Sequence, residues 1–241
     1  MRVLEGNNSI TIQTATGSAT SSCVIAARDL ERPAIWHLAQ AKYIQGYDVI
    51  SIEHNNPKVV REISQALIGL IVTEETAKRI TLTSIVSTPE TSFERVLRRT
   101  AHILVEHARL LNDITTKKIT LQEVKQHEKQ LDAHLLYCLR YLNKYVTVEK
   151  AYQYFLITLT FEQAGDDISR IAEHIGSNKE LAQLLIDGID QFTLALFEKN
   201  FEKFYKTTRG LRNKIKTKTF VDGLAISLAE LLYNYAGFMV E

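Results

Sequence analysis

Hydrophobic positions recur along this chain with two different periods. Up to about residue 88 they fall in short alternating runs: Ser9–Thr14, Ser22–Ala27, Tyr47–Glu53 and Ile80–Val86 each read as a strand. Two stretches between them carry helical spacing instead. One opens at Pro33 and runs through Ala41 until Gly46 ends it; the other opens at Pro57 and carries Val59, Val60, Ile63, Ala66 and Leu67. Proline suits a first helical turn, where its missing N–H has no partner to lose. Strand–helix–strand–helix–strand predicts a small α/β domain over residues 1–88.

Ser87-Thr88-Pro89-Glu90 marks the boundary, and no proline follows it. From there the only period is helical, which predicts a helical bundle over 89–241, with helices at about 90–114, 120–145, 147–175, 178–207 and 219–240. Thr147 and Ser177 stand where N-caps belong, the latter with Glu180 spaced as in a capping box, and Gly176 stands where a helix C-terminus favours glycine. The fold class expected is mainly α.

Two acidic pairs interrupt this pattern: Glu128-x-x-x-Asp132 and Glu162-x-x-x-Asp166. Positions 155, 159, 162, 166, 169 and 173 share one helix face and read Phe155, Leu159, Glu162, Asp166, Ser169, Glu173. Leu121, Glu128, Asp132, Leu135, Leu139 and Leu142 share a second. Both faces are expected to point at the core, where a carboxylate must be paired or bound to a metal, because an unpaired buried charge costs several kcal/mol. Carboxylates four apart project from successive turns toward one point, so the two pairs offer one all-oxygen site. Such a set favours hard or borderline ions (Mg²⁺, Mn²⁺, Fe or Zn²⁺). The bland alternative is ordinary ion pairing, with Arg170 four residues past Asp166 and Lys129 or Arg140 reaching across.

Composition narrows the classes. With 29 Lys+Arg against 28 Asp+Glu, the chain has no bulk pull toward nucleic acid or anionic membrane. Cys23 and Cys138 stand far apart, which fits neither a disulfide framework nor a zinc finger and suits a reducing cytoplasm, with Cys138 on a helix seam as a core residue. No signal peptide opens the chain, and its most apolar run, Ala66 to Val72, is far short of a membrane span of roughly 20 residues. Glu-x-x-His motifs of di-iron oxidases are lacking, as are a nucleophile elbow, a Walker loop and a dinucleotide fingerprint, so no enzymatic activity is expected. His127 and His134 flank the first acidic pair as possible extra ligands or surface residues; His102 and His107 read as background. Between Glu198 and Lys218 eight Lys/Arg interleave with Phe201, Phe204 and Tyr205, either an anion-binding patch or a solvated helix end and loop.

The run Glu162-Gln163-Ala164-Gly165-Asp166-Asp167-Ile168-Ser169-Arg170-Ile171-Ala172-Glu173 resembles the E-R-x-x-D-x-x-x-N-I-A-E signature of the PhoU phosphate-signalling proteins. His127-Glu128-Lys129-Gln130-Leu131-Asp132 resembles the acidic helix that precedes it in that family. Lys42–Ile50 and Leu67–Thr76 are similar to the small domain of archaeal PhoU-like members, so the resemblance covers roughly residues 35–241. It implies two three-helix repeats, iron or zinc bound by the carboxylate motifs, homodimerisation, and regulation of phosphate uptake through protein partners in the cytoplasm. Carried over, the ligands are Glu128, Asp132, Glu162 and Asp166. The second repeat departs from the pattern: Glu230-Leu231-Leu232-Tyr233-Asn234 lacks the closing aspartate, which leaves one site per chain. Residues 1–30 lack the motif of the DNA-binding module that opens many archaeal relatives. Two rival expectations stand beside this one: a DNA-binding regulator using residues 199–218 or the N-terminal strands, and a metal-free interaction bundle whose acids are neutralised by Arg170 and its neighbours.

Overall fold

The computed structural model describes residues 2–6, 9–13, 20–86, 91–216 and 218–234. Strands β1 (Arg2–Gly6) and β2 (Ser9–Gln13) pair as an antiparallel hairpin. A second sheet holds β3 (Ser22–Ala26), β4 (Val49–Glu53), β5 (Leu70–Glu75) and β6 (Arg79–Ser84) in the order β3-β4-β6-β5. Helix α1 (Arg32–Ile44) carries the chain between β3 and β4, which are parallel; the other neighbours are antiparallel. Gly46, at φ +89°, turns the chain out of α1. Helix α2 (Pro57–Ala66) starts at Asn56, whose side chain accepts from the Val59 amide.

Period-two alternation puts Ile25, Ile50, Ile52, Ile80 and Leu82 on the helix side of the sheet, against Ile35, Ala39 and Tyr43 of α1 and Val60 and Ile63 of α2. The opposite face exposes Val24 and pairs its own hydroxyls, Ser51 with Thr81 at 3.2 Å and Thr73 with Thr83 at 2.8 Å. Strand β5 is absent from the sequence expectation. Its apolar start, Leu70-Ile71-Val72, continues the run from Ala66 without a polar break, and only Gly69 at φ +83° separates it from α2.

Among the described residues six helices follow: α3 (Phe93–Thr115), α4 (Leu121–Tyr145), α5 (Val148–His174), α6 (Lys179–Glu198), α7 (Phe201–Lys214) and α8 (Phe220–Asn234). The expected boundary at 87–90 and the end of the last expected helix lie outside the described residues. Helix α3 packs on α4, α5 and α6; α5 also meets α4 and α8; α7 lies against α6 and α8. Phe161, Phe192 and Phe204 form the centre, with rings 6.4 and 4.7 Å apart in sequence. The single helix expected over 178–207 is two, because Lys199 takes the left-handed conformation at φ +51° and Asn200 caps α7 through the Lys203 amide. The cap of α6 is Asn178, not Ser177.

The sheet core and the helical core are separate clusters that meet at Tyr137, and α4 forms the junction by packing on α1 and α2. Arg140 donates to the Tyr43 carbonyl at 2.8 Å, Asn143 donates to the Ile44 carbonyl, and Lys144 pairs with Asp48. This long helix carries both the first acidic pair and the joint to the sheet.

Candidate metal site in the acidic groove

Helix α4 begins in a capping box, Thr120 accepting from the Glu123 amide while Glu123 accepts from the Thr120 amide. Its buried seam is Val124, Leu131, Leu135, Cys138 and Leu142; that of α5 is Phe161, Ala164, Ile168 and Ile171. The two helices approach closely at Gly165, where an added Cβ would lie 2.6 Å from Leu131 Cδ2. The acidic residues therefore occupy the shoulders of these seams rather than the seams themselves, which corrects the inward placement expected from the stripes. Glu128, Asp132 and Asp166 are half-buried and Glu162 is exposed, as are Phe155 and Leu121 on the same stripes. The stripes drift off the core because helices of this length bury two adjacent rows, and the row chosen by the large residues Leu131, Phe161 and Ile168 wins.

What forms is a cluster of four neighbouring carboxylates on the adjacent helices α4 and α5. Burial raises the Asp132 carboxyl to about 7, and the charges of Glu128, Asp166 and Glu162 add to the shift. Partial desolvation also raises Glu162, with Asp166 contributing. Arg170 donates to Asp167 at 3.1 Å, with Asp166 at 3.6 Å. Lys125 takes Glu173 at 2.7 Å. Among the described residues, Glu128, Asp132 and Glu162 have no ion pair. Arg140, expected as a candidate to reach these acids, is committed to the sheet junction instead.

The donor set is chemically suited to a hard divalent cation: four oxygens, one of them on a carboxyl whose ionisation the other three oppose. Among the described residues, however, no three His, Cys, Asp or Glu side chains converge closely enough to chelate an ion as they stand.

Sequence reasoning passed over His107. It is fully buried between α3 and α5, its Nε2 lies 3.1 Å from Ser169 Oγ, and its ring stacks on that of His127 with centroids 5.4 Å apart and planes 11° from parallel. Burial holds His107 down at about 4, with His127 adding to the effect, and burial lowers His127 as well. Each ring has a buried Nδ1 with no partner among the described residues. Ring lone pairs lie in the ring plane, so two near-parallel stacked rings cannot aim them at one ion. His127 is half-buried rather than a surface residue; His134 ties its Nδ1 to the Gln130 carbonyl of its own helix, and His102 faces Glu106 on the outside. The signal available in the sequence was the apolar spacing Leu104, His107, Ala108, Leu111, which puts His107 on the buried row of α3.

The basic stretch is largely a helix, α7, not a helix end and loop. Lys203 pairs with Glu198, Lys206 with Glu202 and Arg212 with Glu230, so much of its charge is locally matched.

In comparisons with known proteins, no family model matches the chain, and no curated protein or solved structure matches it. Among the described residues, no helix is long and apolar enough to cross a membrane.

Proposed function

We propose that this chain is a PhoU-like regulator of phosphate uptake, a non-enzymatic cytoplasmic protein acting as a homodimer through protein contacts, with one metal site formed by Glu128, Asp132, Glu162 and Asp166. The observation that carries this reading is the acidic cluster on α4 and α5, where the charges of Glu128, Asp166 and Glu162 act on Asp132 and no cationic side chain pairs with that residue among the described residues. Two three-helix repeats would need six helices, and the described residues after the sheet hold six. In the second set, Glu230 is taken by Arg212 at 3.0 Å, which supports a single site per chain. Iron or zinc is the ion the family resemblance favours; the oxygen donors also suit Mg²⁺ or Mn²⁺. A bound ion would neutralise the carboxylates and lock α4 against α5, while Arg170 positions Asp166 and the Lys125–Glu173 pair ties the two helices at that same end.

Elemental analysis of protein purified without chelators tests the metal: wild type should carry metal, and Glu162→Ala with Asp166→Ala should lose it with helix content unchanged. Metal content equal in both would refute the ligand set. For the regulatory role, cells lacking the chain should take up phosphate without normal restraint, and unaltered uptake would overturn it.

Arg170 supports a second reading. It engages both Asp166 and Asp167, as a metal-free interaction bundle would require. Metal-free wild-type protein in the elemental analysis selects this reading over the first.

A further inference from the structure

The four-stranded sheet has two edges, and they are finished differently. At β5 the edge is interrupted by a register shift between Val72 and Glu74 and carries the exposed acids Glu74 and Glu75, the latter tied to α2 by Arg61 at 2.8 Å. A bulge and edge charges are the usual guards against further strand pairing. At the other edge, β3 reads Ser22-Cys23-Val24-Ile25-Ala26, with no charge, no proline and an unbroken register against β4. The hairpin of β1 and β2 forms its own sheet, so among the described residues nothing pairs with the outer side of β3.

The ladder to β4 fixes which backbone groups are left over. The Val49 amide donates to the Ser21 carbonyl at 3.0 Å, and the Ala27 amide donates to the Glu53 carbonyl at 2.8 Å. The N–H and C=O of one strand residue point to the same side, and that side alternates along the strand. Ser21, Cys23, Ile25 and Ala27 therefore face β4, while Ser22, Val24 and Ala26 hold their N–H and C=O outward. Apolar side chains flank this edge. Val24 is 62% exposed on the open face of the sheet, and Leu38 of α1 is 41% exposed one turn before Lys42, whose charge acts on Cys23. Arg28 and Arg32 nearby are taken by Glu53 and Glu62. The charges left without an ion pair among the described residues stand at opposite ends of the strand: Lys42 beside its start, Asp29 and Glu31 past its end.

We propose that the β3 edge pairs with the same edge of a second copy of this chain, antiparallel about a two-fold axis at Val24. This deepens the homodimer reading above and rests on it, but not on the metal. The register sets Val24 opposite the partner's Val24 and Ser22 opposite the partner's Ala26, and each such pair exchanges both of its backbone hydrogen bonds. Every outward N–H and C=O of the strand is then used, and two four-stranded sheets become one continuous sheet. A two-fold contact sets a surface against itself, so it must tolerate its own charges. Here an uncharged strand meets itself, and the antiparallel arrangement carries the Lys42 end of one copy to the Asp29 and Glu31 end of the other. A strand from an unrelated protein would gain the backbone bonds without this match at both ends.

Light scattering of the full chain over a concentration series, with chelator present, reads the mass. Wild type should run as two chains. Val24→Lys and Val24→Glu each set like charges against one another at the axis, on a side chain that lies in solvent in the single chain. Each alone should weaken the dimer by about tenfold or more, with circular dichroism unchanged. An equal mixture of the two variants should regain the dimer, because opposite charges then meet, and Val72→Lys at the β5 edge should leave the mass as in wild type. A wild type that is monomeric throughout, including one that captures a foreign strand at β3, overturns both the edge pairing and the homodimer reading. A dimer that withstands both Val24 variants overturns the edge pairing alone.

Discussion

His107 gives the sharpest test of the packing between α3, α4 and α5. In the folded protein its imidazole is held down at about 4 against an ordinary 6.5, since protonation would bury a charge beside the His127 ring. The sign follows from linkage. Between pH 4 and 6.5 the unfolded chain binds a proton that the native one refuses, so native stability is complete above 6.5 and drains away as pH falls toward 4. At pH 4.5 the two-site expression gives a loss of about 2.5 kcal/mol, a large share of a typical domain's stability. His107→Gln keeps a side-chain N–H within reach of Ser169 but cannot titrate. Its cost at pH 7.5 should be about 1 kcal/mol, from imperfect replacement of the ring. At pH 4.5 the ranking should reverse, with the variant more stable than wild type by about 1–2 kcal/mol. Urea unfolding of both proteins at four pH values between 4.5 and 7.5 reads this directly, and differencing the two curves cancels the carboxylates they share. Parallel curves across that range would show that His107 protonates freely in the native state, and the argument from burial would fail.

The acidic cluster makes the opposite prediction. Asp132 is raised, so stability drains away as pH climbs from the ordinary aspartate value of 3.8 to about 7 and levels off above that; in chelator, Asp132→Asn should melt higher than wild type at pH 8, by about 1 kcal/mol after allowance for solvent screening, with a smaller gain at pH 5. Thermal melts at both pH values decide it. A Cβ on Gly188 would meet Leu211 atoms at 2.7 and 3.0 Å, so Gly188→Ala should cost about 1–3 kcal/mol, and Leu211→Ala in the same chain should cost less than the two single changes added together. Additive costs in the double variant would mean that α6 and α7 do not touch there. Lys199→Gly relieves a left-handed lysine at the end of α6 and should raise the unfolding free energy by about 0.5–1 kcal/mol, read as a higher urea midpoint; a lowered midpoint would contradict the strained cap.

Much of the architecture was legible because periodicity carries it. The α/β-then-helix order, the starts of α1 and α2 at proline and the end of α5 before Gly176 follow from local rules, and each agrees with the structure. Three features were hidden for physical reasons. Strand β5 is edge sheet whose apolar run joins that of α2, and only pairing with β6 makes it a strand. The break at Lys199 lacks the glycine that usually announces one. The acidic stripes misled because a four-and-three spacing specifies a face but not which face is inward; that choice was made by Phe161, Ile168 and Leu131 on neighbouring rows. Spacing therefore set the four carboxylates near one another on α4 and α5 and misjudged their depth.

Helix α4 runs from Leu121 to Tyr145 without a break, and every proline of the chain precedes it. At 1.5 Å per residue, Asp132 and Lys144 stand roughly 18 Å apart along its axis. An unkinked rod of that length behaves as a lever: a small tilt imposed where it borders α5 becomes a sideways displacement where it grips the sheet. A hinged connection would absorb such a movement, whereas this one passes it on.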